Sequence, residues 1–182
     1  MSSVIIRRPK KVESSKEKQP EKRKIYGAYM KSTLERKVCL HITEIGKNVK
    51  QNLEAKLENS LGGKCVQEGY MKSKSIQVIS YSSGTVNYNV VEFRVLFDVM
   101  VCLPVEGMLI ECMCKTITKA GIHAQVVDED NNIPVTIFVA RDHHHMEPKF
   151  SEVKEGDQIT ARVIGIRYEL NDDYICAIGK LV

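Results

Sequence analysis

Gly107-Met-Leu-Ile-Glu-Cys-Met-Cys-Lys-Thr-Ile-Thr-Lys-Ala-Gly121 is the stretch whose reading decides the fold of this chain. A β-rich run ends after a Lys-Ala turn at a glycine, the residue that accepts a left-handed backbone without a Cβ penalty. Further on stands Gly156-Asp-Gln-Ile-Thr-Ala-Arg-Val-Ile-Gly-Ile-Arg-Tyr168, then Asn171-Asp172-Asp173, then Tyr174-Ile-Cys-Ala-Ile-Gly179. Two apolar runs around an Asn/Asp cluster predict a hairpin. From Val105 to Lys180 the glycines, short apolar runs and turns follow the order of a five-stranded barrel.

This order resembles the S1 domain, the RNA-binding OB fold repeated in ribosomal protein S1. The resemblance puts Gly107, Leu109, Ile110, Cys112, Cys114, Ile117 and Gly121 on the first long strand and its turn, with Gly156-Asp157 leading into strand four. The terminal Ala177-Ile178-Gly179 and the residues upstream narrow it. The chain is similar to the S1-bearing stalk component of multisubunit RNA polymerases, a family found in archaea and, in eukaryotic polymerase II, as the larger partner of the two-protein stalk.

The charge of the 182-residue chain is unevenly spread. Residues 1–24 hold nine Lys/Arg against three Asp/Glu, residues 25–104 ten against seven, and residues 105–182 eight against 13. The first segment lacks the hydrophobes for a core and reads as a disordered basic arm: a nuclear-targeting signal or nonspecific contact in one reading, a solvated tail in the other. A net −5 on the barrel region predicts weak RNA binding, because tight phosphate-driven binding needs several neutralised phosphates. Six cysteines, none in a Cys-x-x-Cys pair, sit in or beside apolar runs and read as reduced, structural thiols. No signal core and no membrane-length apolar run is present, so the expectation is a soluble, intracellular protein without membrane contact.

Residues 25–104 read as a small α+β unit. Strands are predicted over Ile25-Tyr-Gly-Ala-Tyr29, Lys37-Val-Cys-Leu-His-Ile42, Ser75–Tyr81 and Val90–Cys102. Thr43 and Glu44 are placed to begin a helix carrying Val49, Leu53, Leu57 and Leu61 at helical spacing, with Gly62-Gly63 as its C-cap. Pro104 marks the boundary, and residues 105–182 form the barrel unit. In the stalk family the N-terminal half wedges against the polymerase core. The resemblance assigns that docking to Gly62, Gly63, Lys64 and Tyr70, while the basic arm and the loop from Glu68 to Ser75, which carries Lys72 and Lys74, depart from the family pattern and have no contact assigned to them.

An S1 barrel binds RNA with exposed rings for base stacking and nearby cations for phosphates. Carried over residue by residue, the resemblance implies rings at His123 and Phe138 and cations at Lys115, Arg141 and Arg162. His123 stands where the family has phenylalanine. Phe138 fits a core position equally well, and Arg141 and Arg162 also read as solvated strand charges. Neighbouring side chains of an extended His143-His144-His145 point to opposite faces, which argues against one shared metal ion. Asp128-Glu-Asp130-Asn-Asn132 lacks calcium-loop spacing and reads as a tight turn. No Walker loop, dinucleotide fingerprint, nucleophile elbow or His-Glu-x-x-His is present.

The resulting expectation is a non-catalytic polymerase stalk subunit without cofactor or metal. Its partners would be the polymerase core subunits and single-stranded nascent RNA, with a second small stalk subunit compatible with the same architecture. It would work in the nucleus of a eukaryote, or in the cytoplasm of an archaeon or of a cell carrying a cytoplasmic virus. The alternative is a free-standing S1 factor of translation or RNA processing, or a processing enzyme with the barrel as accessory.

Overall fold

The 13-residue strand Val90–Cys102 alternates buried and outward residues from Val90 to Val101 and organises the N-terminal half of the computed structural model, which describes residues 27–144 and 148–182. The basic arm lies outside the described residues. Val91, Phe93, Val95, Phe97, Val99 and Val101 of this strand point into a core, and Glu92, Arg94, Leu96, Asp98 and Met100 point away. We number the strands in chain order: β1 Met30–His41, β2 Cys65–Val66, β3 Gly69–Met71, β4 Gln77–Tyr81, β5 Thr85–Asn87 and β6 Val90–Cys102. β6 pairs with β1 along its whole length on one side, from Met30↔Val101 to His41↔Val90. On the other side it pairs with β3, β4 and β5 in turn.

The helix α1, Val49–Leu61, lies across this sheet. Its apolar residues recur every fourth position, so Leu53 and Leu57 fall on one stripe and are fully buried against the side chains of β1, β4 and β6. Each such leucine contributes about 1.5–3 kcal/mol by leaving water. Two helix acids tie the following chain down: Glu54 accepts the Val78 N–H at 2.9 Å and Glu58 the Lys74 N–H at 2.6 Å. Thr43 and Glu44 do not begin this helix. They belong to a short 3-10 turn, Ile42–Glu44, closed by a capping box with His41.

β1 also differs from expectation. Ile25 and Tyr26 lie outside the described residues, Gly27 to Tyr29 form no strand, and the strand starts at Met30. Lys-Ser-Thr-Leu-Glu-Arg lacks apolar alternation. The long β6 supplies the template instead, with cross-strand pairs on the outer face: Lys31 to Asp98 at 2.7 Å, Thr33 to Asp98 at 2.6 Å and Lys37 to Glu92 at 3.3 Å.

The C-terminal strands are β7 Leu109–Ile117, β8 Gly121–Val126, β9 Val135–Ala140, β10 Gln158–Arg167 and β11 Ile175–Leu181. They close into a barrel in the order β10-β11-β9-β8-β7, with β9 and β11 parallel and the other pairs antiparallel. A five-stranded closed barrel of this topology, with the short helix α2, Pro148–Glu152, between its third and fourth strands, is the OB arrangement expected from the sequence. Small inward residues let it close: Cys112 and Cys114 lie on one buried face with Ala124, Ala161 and Ala177. A Cβ on Gly179 would come within 2.9 Å of Ile137 Cγ2 and 3.3 Å of Ala161 Cβ. Asn171-Asp172-Asp173 turns between β10 and β11 as predicted, with Asn171 at φ +70°.

The two halves share apolar packing, for Cys65, Tyr70 and Cys102 belong to the same buried cluster as the barrel interior. Polar contacts lock the seam. The β10–β11 turn exchanges backbone hydrogen bonds with β2, Cys65 N–H to Asp172 O and Asn171 N–H to Cys65 O, both 2.8 Å. Tyr168 adds its hydroxyl to Gln67 O at 3.1 Å. On the other side Tyr29 donates to Asp128 at 3.0 Å, and Lys72 pairs with Asp130 at 2.9 Å while lying 5.4 Å from the Tyr29 ring centroid. Lys72, in the loop whose contacts the sequence does not specify, is thus an anchor between the halves. No helix among the described residues is long and apolar enough to cross a membrane.

Candidate nucleic-acid interface

Inward positions on β8 and β9 are Ile122, Ala124, Val126 and Val135, Ile137, Val139, so alternation sends His123, Gln125, Thr136 and Phe138 outward. His123 and Phe138 are direct cross-strand partners, with ring centroids 4.8 Å apart and planes inclined by 47°. His123 is exposed and Phe138 half-buried, outside the barrel core. Gly121 is what lets Phe138 lie low on the sheet. It does not adopt the left-handed backbone expected of it: a Cβ there would collide with the Val139 carbonyl and come within 2.9 Å of the Phe138 ring. The turn before it is closed by Thr118, whose hydroxyl donates to Gly121 O at 2.9 Å and accepts the Gly121 N–H at 3.2 Å.

Arg141 follows β9 and is drawn to that turn. Its N–H donates to Ala120 O at 2.9 Å, its Nη2 reaches Thr118 O at 3.5 Å, and its guanidinium carbon lies 5.3 Å from the Phe150 ring centroid. Ile117, Thr118, Lys119 and Arg141 thereby line one shallow recess at the end of the ring-bearing face. Lys119 is a cation that the sequence places only in a turn. Its value comes from the backbone bond that brings Arg141 beside it. Lys115 is the extra residue of a β-bulge between the pairs Cys114↔Ala124 and Thr116↔His123, exposed near the ring pair. Arg162 stands elsewhere, on β10, two strands round the barrel from Phe138 and opposite Lys180.

The histidine run has a structural member. His144 is 4 % exposed, its Nδ1–H donates to Ala140 O at 2.8 Å, its Nε2 accepts the Leu181 N–H at 2.9 Å, and its ring stacks on Phe150. His143 is exposed, and His145 lies outside the described residues. Asp128 closes the turn predicted around it by accepting the Asp130 N–H at 2.9 Å and the Asn132 N–H at 2.8 Å. Burial acts to raise its carboxyl, but the hydrogen bonds from Asn132, Tyr29 and Asp130 outweigh that and hold it below the usual carboxylate range.

The acids of the barrel are not spread over the ring-bearing face. Gly121–Val126 and Val135–Ala140 contain no Asp or Glu. Asp128 and Asp130 are engaged with Tyr29 and Lys72, and the Asp172 backbone bonds to β2, so part of the negative charge is held at the seam between the halves.

Gly62, Gly63, Lys64 and Tyr70 gather at the barrel-proximal corner of the N-terminal half. Gly63 ends α1 at φ +72° and donates to Met71 O at 2.9 Å, while Lys64 O accepts the Met71 N–H at 3.0 Å. Tyr70 is 3 % exposed and lies 6.5 Å from the Tyr29 ring. Its ring therefore holds the seam and offers no contact surface of its own. Met30, Ile79 and Leu96 are exposed elsewhere on this half, and a further group of exposed apolar side chains lies at the other end of the sheet. There Tyr88 is 94 % exposed at φ +53°, beside Val86 and, through the bond from Ile42 N–H to Asn89 O, beside Ile42.

No family model matches the chain. It is 27% identical over 164 residues to the putative DNA-directed RNA polymerase subunit L376 of Acanthamoeba polyphaga mimivirus, a match covering 85% of this chain and 82% of that protein. It is 29% identical over 126 residues both to DNA-directed RNA polymerase II subunit 7 of Arabidopsis thaliana and to DNA-directed RNA polymerase II subunit RPB7 of Glycine max. Each of these matches covers 68% of this chain and 66% of the plant protein. The relatives are RNA polymerase subunits, and the likeness to the polymerase stalk family read from the sequence stands beside an OB barrel in the structure.

Proposed function

We propose that this chain is a non-catalytic stalk subunit of a multisubunit DNA-dependent RNA polymerase. Residues 25–104 dock on the polymerase core, and the barrel of residues 105–182 holds single-stranded nascent RNA on its β8–β9 face. The observation that carries the reading is the sorting of charge and rings. An acidic barrel carries no Asp or Glu on β8 or β9, pairs His123 with Phe138 there, and sets Arg141 and Lys119 at the end of that face, where Glu155 accepts the Ile117 N–H at 3.2 Å. Stacking needs exposed ring faces and tolerates any base, so such a face suits a transcript of arbitrary sequence.

So few cations give low intrinsic affinity, and tethering supplies the rest. An RNA emerging beside a docked barrel meets it at high effective concentration, so weak contacts suffice. The seam contacts serve the same end, since a barrel fixed to its docking half presents its RNA face in one direction. The location follows the polymerase: a nucleus, or the cytoplasm in an archaeon or a cytoplasmic virus infection. A second small stalk subunit is compatible with this arrangement.

Two measurements test the reading. Co-purification from the native source should bring down the large polymerase subunits. Ribosomal particles or processing enzymes in their place would point to the free-standing factor. The isolated protein should bind single-stranded RNA weakly, with affinity falling steeply as salt rises. Nanomolar, salt-insensitive binding would contradict the charge argument.

A further inference from the structure

The run of acid-free strands does not stop at β9, although Glu111 on the adjoining β7 lies opposite Thr160 and accepts from Gln158 Nε2 at 3.1 Å. Gln158–Arg167 and Ile175–Leu181 also contain no Asp or Glu, so β8, β9, β11 and β10 make four adjacent barrel strands without a carboxylate, although residues 105–182 hold 13. The strand registers align an apolar row across them. His123 is opposite Phe138, Phe138 is beside Ile178, and Ile178 is opposite Gly165. Ile178 is 49% exposed, and Ile164 and Ile166 beside it are 42% and 38% exposed. Two residues along from Ile178, Lys180 stands opposite Arg162.

The β10–β11 turn, a loop that OB folds use for oligonucleotides, is already bonded to β2 through Cys65, Asn171 and Asp172. A strand leaving the ring pair is therefore steered across the wall of the barrel.

We propose that single-stranded RNA continues from the His123–Phe138 pair over Ile178 to Arg162, a second stretch of binding track on β11 and β10. The proposal rests on the reading of β8–β9 as the RNA face. It gives Arg162 a role that its distance from the rings otherwise denies it. The crossing spans two strand spacings, about 10 Å at roughly 4.8 Å each. Ile178 offers a flat apolar surface to a base, and Arg162 a guanidinium to a phosphate. RNA fits this surface better than a protein partner because the row is continuous with the ring pair and the charges at its end, Arg162 and Lys180, are of one sign, while Arg167 further along β10 is paired with Glu169 at 3.3 Å.

Length dependence of RNA binding by the full chain tests this, using fluorescent oligouridines of about 4 and about 12 nucleotides, within the roughly 4–16 that one OB barrel covers. Arg162→Ala and Ile178→Thr should each leave the short oligomer within two-fold and weaken the long one about five-fold. Arg162→Ala should also reduce the salt slope for the long oligomer by about 0.7, the loss of one single-strand phosphate contact. Phe138→Ala should weaken both lengths.

If Phe138→Ala acts while Arg162→Ala and Ile178→Thr change neither length, the track is wrong and the ring face survives. If Phe138→Ala also changes nothing, the ring face itself falls. Unchanged RNA binding together with lost co-purification of polymerase subunits would make the wall a protein surface and overturn the track. Should Ile178→Thr melt early, Arg162→Gln, on an exposed position, decides alone.

Discussion

His123 and Phe138 face each other across the β8–β9 ladder with ring centroids 4.8 Å apart and planes inclined by 47°. Phe138 is half-buried and lies outside the barrel cluster, so its ring packs on the sheet while leaving a face to solvent. Stacking on such a ring is worth roughly 1–3 kcal/mol per base. Phe138→Ala is therefore expected to weaken RNA binding about five-fold or more, with a loss of stability well below the roughly 3–5 kcal/mol of a buried phenylalanine. His123→Phe should strengthen binding. Melting curves and RNA titrations on both variants check this: an early-melting Phe138→Ala with a His123→Phe of unchanged affinity would remove the pair from any RNA site.

The thiols divide by burial. Removal from water pushes Cys65 up to about 11, with the neighbouring Asp172 adding to it, and pushes Cys102 and Cys112 up to about 12. Cys114 is raised by the same cause. Reactivity follows the thiolate, so these four should resist a thiol reagent at pH 8, while the exposed Cys39 and Cys176 react at once. Ellman titration should show a fast phase of two thiols in the native protein and six in denaturant. A third fast thiol would mean that the barrel or the seam opens.

How much of this is legible in the sequence depends on how local the cause is. β6 is plain, because buried valines and phenylalanines alternate without interruption from Val91 to Val101. β1 is not, since its first half is strand only because β6 lies beside it. The barrel order is readable from glycines and turns, but closure is not. The parallel pairing of β9 with β11 joins residues about forty apart, such as Phe138 and Ile178, and leaves no short-range pattern. That is why Arg162 reads as one more cation of the ring face, and why Ile178 and Lys119 carry no signal of their own. Gly121 reads as a necessary glycine for the wrong reason: the constraint is the space under Phe138, and no turn signal reports it.

Acid should loosen the seam. The Asp128 carboxyl is held below its usual value by its hydrogen bonds, so it stabilises the fold fully above the unfolded carboxylate pKa of about 3.9. That contribution is lost as pH falls below about 4 through the depressed folded value. Asp128→Asn keeps the shape but gives up the charge that Tyr29 and Lys72 meet, and hydrogen bonds to charged groups are worth about 1.5–3 kcal/mol. The variant is expected to be less stable by roughly that amount at pH 7, with the gap to the parent closing near pH 3. Urea unfolding at both pH values measures it, and a gap independent of pH would show that the charge of Asp128 is not what stabilises the seam.

Docking can be separated from RNA contact by two substitutions at opposite ends of the N-terminal half. Gly63 sits at φ +72° with Ser73 Oγ 2.7 Å from where a Cβ would stand. A branched residue there is strained by about 1–3 kcal/mol and must shift the corner formed by Gly62, Gly63 and Lys64. Gly63→Val should therefore weaken association with the polymerase large subunits several-fold while the RNA affinity of the barrel stays as it was. Tyr88 is 94% exposed at φ +53°, a backbone that asparagine tolerates better, so Tyr88→Asn should melt no earlier than the parent. Its exposed ring, together with Val86 and Ile42, offers the distal edge as the competing docking surface. Co-purification of both variants with the large subunits decides between the two ends. Loss with Gly63→Val alone places docking at the corner. Loss with Tyr88→Asn at unchanged melting temperature moves it to the distal edge, where binding would rest on buried apolar side chains and no longer on the conformation of Gly63.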